Sequence, residues 1–232
     1  PMLVDYRPGA TKSISVVCGR TLVAMPIIAR ITGEKKYANL ADDMEAFLRQ
    51  QVEGRYWFTG AHVDLWPKDL ESDSVWQAVE YWLNKYDRTK EPECLKRAEA
   101  DVWFSFLMWC PKQLSWVSNP TQTCHAEQQN FLQYSNYCYQ NRKFDCLDRL
   151  AKWTGDPLFG QLRDRIIQCG FWGQATSGDA IGGQYERLSD PWLKRGRDVN
   201  SLGHIYVSQL ALEMNLQLLE MGWVRARNPK PE

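Results

Sequence analysis

The sequence lacks an excess of either charge. Lys and Arg number 28, Asp and Glu number 28, and the formal net charge is zero. Proteins that gain affinity by neutralising phosphate need a basic excess, so nucleic acid is not an expected partner. Long apolar runs are also missing. Each is broken by a charge or a Pro well before the roughly 20 residues that cross a bilayer, so no membrane association is expected. There is no low-complexity stretch and no Cys-x-x-Cys pair, and no glycosylation sequon, since Asn119 is followed by Pro120. His is scarce, at three residues. What the 232 residues do hold is aromatic surface: 11 Trp, 10 Tyr and 8 Phe in a chain that is 44% hydrophobic. That composition is a globular one, with a core to bury.

The seven Cys are odd in number and irregularly spaced. A chain of this length needs no disulfide framework, so buried thiols are expected. Cys138 and Cys146, if on one helix, stand about 12 Å apart and cannot bond to each other. The first residue is Pro1 and the last eight, Arg225–Glu232, are polar. A processed chain or a piece of a longer one is expected, with the compartment (cytoplasmic, periplasmic or secreted) left open. Residues 1–222 are read as one domain and 223–232 as a tail.

A helix-start signal recurs along the chain. Thr32-Gly-Glu-Lys-Lys-Tyr37, Thr89-Lys-Glu-Pro-Glu-Cys94 and Thr154-Gly-Asp-Pro-Leu-Phe159 each offer a short link, an acid expected in the first turn, and an apolar residue three on. Pro92 and Pro157 fall at about the first helical position, where a missing N–H costs nothing. Starts 57 and 65 residues apart indicate a structural repeat. Tyr37, Leu40, Ala41, Met44, Phe47 and Leu48 form the stripe of an amphipathic helix, and Leu158, Phe159, Leu162, Ile166 and Cys169 do much the same. Segments 12–31, 73–86 and 201–221 are instead apolar nearly all round, as expected of helices covered on every side. With a further helix expected over 125–152, the order alternates inner and outer: an all-α fold of about three and a half helical hairpins.

Loop lengths give the array a direction. Inner-to-outer links are a few residues, whereas 53–72, 110–124 and 170–199 are long and rich in aromatics. Connections of that length commonly carry function. In a stack of hairpins all three leave from one end, at the N-termini of the inner helices.

Repeated Thr-Gly-Asp/Glu-x-x-aromatic starts after an apolar inner helix resemble the (α/α)-toroid, six-hairpin glycosidase superfamily of glycoside hydrolases, unsaturated-uronyl hydrolases and polysaccharide lyase domains. The resemblance covers about residues 12–221 and is architectural. It implies an incomplete (α/α) toroid, a carbohydrate substrate, and another domain or chain completing the ring of six hairpins. Locally, Thr121-Gln-Thr-Cys-His125 is similar to a segment opening an inner helix of the β-L-arabinofuranosidase toroids, with Gln122 where that family has Glu.

Candidate site residues follow from chemistry. Glycoside hydrolysis takes two carboxyl groups, one acid and one base or nucleophile. Glu71 and Asp73 stand at an inner-helix N-terminus, where the dipole favours an anion; they also suit plain capping. Glu127 or Glu186 supplies the second carboxylate. Glu186 closes the glycine-bearing run Ser177–Glu186, suited to folding over a ligand. His125 is a candidate acid or base. On the expected helix over 125–152, Glu127, Asn130, Tyr134, Tyr137 and Asn141 share one face. With Gln129, that face offers partners for sugar hydroxyls, or an internal polar network. Trp66, Trp116, Trp172, Tyr185 and Trp192 offer ring faces for sugars or anchors for their loops. Arg197 belongs to the basic run Lys194–Asp198. A lyase would use the same region, with His125 or His204, Tyr134 or Tyr185, and Arg142, Arg195 or Arg197. A zinc site from Cys110 with Cys124 and His125 is a minor alternative; no metal or cofactor is expected. A non-catalytic carbohydrate-binding or assembly module is the reading outside catalysis.

Overall fold

A computed structural model of the chain describes residues 16–58, 72–106, 109–110, 126–128, 136–137, 141–172, 184–185, 187–189, 206–207, 216, 219–220 and 222. Six helices occupy most of them, as three helix–link–helix units: α1 (Val16–Thr32) and α2 (Lys35–Phe47), α3 (Ser72–Thr89) and α4 (Pro92–Ser105), α5 (Asn141–Thr154) and α6 (Pro157–Trp172). Short extended pieces are β1 (Trp109–Cys110), β2 (Ala126–Gln128), β3 (Asn136–Tyr137), β4 (Gln184–Tyr185), β5 (Arg187–Ser189) and β6 (Tyr206–Val207). At two or three residues each, they leave the class all-α. No described helix is long and apolar enough to cross a membrane.

The three links share one construction. The Thr Oγ1 accepts from the N–H two residues on, Glu34 at 3.2 Å, Glu91 at 3.3 Å and Asp156 at 3.1 Å. In two of them the same hydroxyl also donates back to a carbonyl four residues earlier, Thr32 to Ile28 at 2.8 Å and Thr89 to Lys85 at 3.0 Å. The residue between is left-handed: Gly33 at φ 70°, Lys90 at φ 57°, Gly155 at φ 75°. Glu34 and Glu91 are the extended N-cap residues of α2 and α4, so these acids stand one place earlier than the expected first turn. Pro92 and Pro157 open their helices as expected.

The chain divides into two compact units: 1–109 with 127–134 and 152–156, and 110–126 with 135–151 and 157–232. In the first, α3 is the centre. Val75, Trp76, Ala78, Val79, Tyr81, Trp82 and Leu83 are all buried, together with the polar Ser74 and Gln77, which is the covered inner helix the composition predicts. Ala41 and Met44 of α2 and Cys94, Ala98 and Val102 of α4 are buried as stripes. α1 departs from expectation: Leu22 is buried, but Ile31 is 76% exposed and Ile27 is exposed too. A helix apolar all round is here covered only in part.

In the second unit Phe144, Cys146, Leu147, Leu150 and Phe159 are buried, and Arg163 bonds Asp148 across the α5–α6 pair. Cys94 and Cys146 are buried and neither forms a disulfide, as the sequence suggests. The expected helix over 125–152 is corrected. It starts at Asn141, and Ala126–Gln128 and Asn136–Tyr137 are extended. The run from His125 to Gln140 is dominated by Gln, Asn and Tyr, and although Gln suits a helix, the run offers no apolar stripe to bury one. The stripe begins only at Phe144. Cys138 therefore does not share the helix of Cys146. Likewise Tyr206–Val207 pair with β4 as a strand, which breaks the expected helix over 201–221.

Candidate functional site

Of the residues proposed from sequence, Glu71, His125, Glu186, Trp66, Trp116, Gln129, Tyr134, Trp192 and Arg197 lie outside the described residues. For five others the backbone is described. Asp73 is the second residue of α3, inside its first turn. Glu127 lies in β2 and Tyr137 in β3, so they do not share a helical face. Trp172 ends α6 and Tyr185 ends β4. Two of these residues take part in strand pairing in the second unit, each with a different partner. Tyr137 is registered against Arg187, and Tyr185 against Tyr206, both antiparallel. Tyr185 and Arg187 bracket Glu186 in sequence, so its two neighbours belong to separate pairings.

The first unit holds a polar cluster that reading the sequence missed. Glu45 of α2 accepts from Arg49 Nε at 2.9 Å, from Lys85 Nζ at 2.7 and 2.8 Å, and from the Tyr81 hydroxyl. Burial would raise its carboxyl, but these donors outweigh burial and hold it below the usual range. The Tyr81 hydroxyl is pushed far up, by burial first and then by donating to Glu45. Glu53 accepts from the Trp82 indole N–H and from Arg97 Nη1 at 2.5 Å. Around the fully buried Trp82 ring stand Arg49 at 4.8 Å, Arg97 at 5.5 Å and Lys85 at 5.9 Å. Their carboxylate partners are Glu45 for Arg49 and Lys85, and Glu53 and Glu93 for Arg97.

Asp101 of α4 is the odd member. It is buried, and its Oδ2 has no hydrogen-bond partner among the described residues. Burial, then the neighbouring Glu53 charge, push its carboxyl well above the ordinary value, against the pull of Arg97. Asp101 therefore holds its proton more tightly than a free carboxyl does, and a hydrogen bond with Glu53 acts in the same direction. The bonds of this cluster tie α2 to α3, and the turn that follows α2 to α3 and α4. No described group of three or more His, Cys, Asp or Glu could hold a metal ion.

At the far end of α2 the backbone is irregular. Leu48–Val52 form a π-helical turn and Glu53–Arg55 a 3-10 turn, and Tyr56 follows in left-handed conformation at φ 51°, ψ 40°. Tyr56 stacks on Phe104, with ring centroids 5.3 Å apart, and Phe58 packs on the same Phe104 at 5.2 Å. Trp103 stacks on Phe106 at 5.2 Å. Tyr56 is 62% exposed, Trp103 45% and Trp57 44%. Tyr56 and Trp57 were visible in the sequence only as part of an aromatic-rich loop.

No protein-family model matches the sequence, and no curated protein matches it. Among solved structures the chain is similar to cellobiose 2-epimerase from Bacillus thermoamylovorans, an (α/α)-toroid enzyme, with TM-score 0.52 and 12% identity. The match covers 94% of this chain and 64% of that one, so the chain spans somewhat less than two thirds of that enzyme's length. At this identity the likeness shows the fold: an all-α chain of the helical hairpins of an incomplete (α/α) toroid.

Proposed function

We propose that this chain is a carbohydrate-active protein, and that its reaction is hydrolysis of a glycosidic bond. The observation that carries the carbohydrate reading is the fold likeness to an enzyme named for cellobiose. Fold alone does not choose a reaction. The choice of hydrolysis rests on the carboxylates that the sequence places before and at the starts of helices. Glu71 precedes α3 directly and Asp73 lies in its first turn, where the helix dipole favours a carboxylate. One of them acts with Glu127 or Glu186. The protonated partner donates to the leaving oxygen, and the ionised one attacks the anomeric carbon or activates water. His125 is a further acid or base, and Trp66, Trp116, Gln129, Tyr134, Tyr137, Trp172, Tyr185, Trp192 and Arg197 bind the glycan. The substrate is an oligo- or polysaccharide, with no role for nucleic acid or membrane. A further domain or chain completes the toroid, in keeping with the 64% span and the partly open α1.

Epimerisation is the second reading, favoured by the printed activity of the solved neighbour. One experiment separates them. The chain is incubated with cellobiose and a panel of neutral and uronate-containing oligosaccharides. New reducing ends, ultraviolet absorbance of unsaturated uronate, and sugar epimers are then followed together. New reducing ends without absorbance are expected. Epimer without new ends puts the second reading first, absorbance indicates a lyase, and silence on all three leaves the binding module.

A further inference from the structure

We infer that the exposed ring of Tyr56, in the first unit, is a platform for the apolar face of a pyranose ring, and that the exposed ring of Trp103, next in sequence to the Phe104 on which Tyr56 stacks, is a second contact for the same glycan. The inference rests on the carbohydrate reading above and adds a subsite to it. Tyr56 stacks on Phe104 with an interplanar angle of 29°, and the buried Phe58 packs against the same Phe104. The ring is thus held from within the protein while most of its surface meets solvent. Trp103, one residue before Phe104, is stacked on Phe106 at 30° and is also open.

The backbone supplies an independent observation. Left-handed residues at helix ends are usually Gly, because a side chain carries a steric cost there. This chain follows that rule at Gly33 and Gly155 and departs from it at Lys90 and Tyr56. Only at Tyr56 is the departure an aromatic that follows a π turn and a 3-10 turn, and π turns often mark functional sites.

The chemistry of the rings selects the occupant. Tyr and Trp pair a flat apolar face with an O–H or N–H at the edge, matching a sugar ring with a C–H face and a hydroxyl rim. An apolar helix would also require aliphatic surface, and the exposed Ile27 and Ile31 lie on α1, near the link at the other end of α2. Phe58 and Phe106 directly precede, in sequence, the segments that carry Trp66, Glu71 and Trp116.

The test is calorimetric titration of the whole chain with cellotetraose, mannotetraose and a uronate-containing tetrasaccharide. It is repeated on Tyr56→Gly, Trp103→Ala and, as a control, Ile31→Ser. Glycine suits the left-handed backbone, so Tyr56→Gly removes the ring without disturbing the turn; thermal melting verifies this. The expected result is binding of at least one tetrasaccharide, weakened about three- to tenfold by each aromatic substitution and unchanged in Ile31→Ser. Unchanged affinity in both aromatic variants overturns the platform. So does self-association of the parent that both variants abolish, which makes the patch an interface between copies. Turnover of the sugars with affinity unmoved by the substitutions ends the platform alone. Absence of both binding and turnover ends the carbohydrate reading with it.

Discussion

Asp101 occupies the buried stripe of α4, between Ala98 and Val102, where an apolar residue would add to the core. Its raised carboxyl has a consequence for pH. A carboxyl that holds its proton more tightly when folded stabilises the fold below its unfolded value, and that contribution is lost as pH rises through the folded one. The Asp101 contribution to stability therefore falls as pH climbs from about 4. Asp101→Asn keeps the shape and the neutral state, and should flatten this decline in urea midpoints measured from pH 4.5 to 8. An unchanged slope would mean that Asp101 is ionised in the fold. Glu45 works in the opposite sense: its lowered carboxyl gives stability present above its ordinary range and lost as acid protonates it. Tyr56 offers a second test at this scale. Tyr56→Ala keeps the left-handed strain and loses the stack, whereas Tyr56→Gly also relieves the strain. Glycine should be the more stable variant by about 1 kcal/mol in chemical denaturation. Neither Asp101 nor its partner Glu53 was singled out in the sequence, because their meeting depends on where the 3-10 turn after α2 comes against α4.

Each hinge between paired helices is a local device, and locality is why the sequence revealed it. A Thr that bonds the N–H two residues on, a left-handed residue and an extended acid are all contained within five residues. At Gly33 and Gly155 a Cβ would meet nothing within 4 Å, so an Ala there suffers only the backbone cost. Gly33→Ala and Gly155→Ala should each lower stability by about 1 kcal/mol, read from urea midpoints. Lys90 already bears that cost. Lys90→Gly should relieve it while giving up an exposed pair with Asp87 and ring contacts to Tyr86 and Trp153, leaving stability nearly unchanged. Equal losses at all three positions would refute the shared construction. The segment from His125 to Gln140 was misread because spacing alone suggested a helix. Tyr suits a strand, and an antiparallel partner such as β5 is invisible in local sequence.

Among the described residues, the repeated short links were enough to give three helix–link–helix units, because each is encoded by its own link and periodicity. The reaction is not encoded that way, since a fold of this kind hosts sites that depend on a few side chains brought from distant loops. The likeness at 12% identity accordingly shows the fold and leaves the catalytic groups to be tested one by one. Glu71→Gln, Asp73→Asn, Glu127→Gln and Glu186→Gln each remove one ionisable carboxyl at nearly constant shape. If hydrolysis uses one acid and one base or nucleophile, two of the four should lower kcat by about 100-fold or more while KM changes little. The remaining two should stay within about threefold, as groups that only cap a helix or line a strand would. A fall confined to KM would move these carboxylates from chemistry to binding. Uniform small losses across all four would remove the carboxylate pair from the mechanism and leave epimerisation, which requires no new reducing end, as the reaction to pursue.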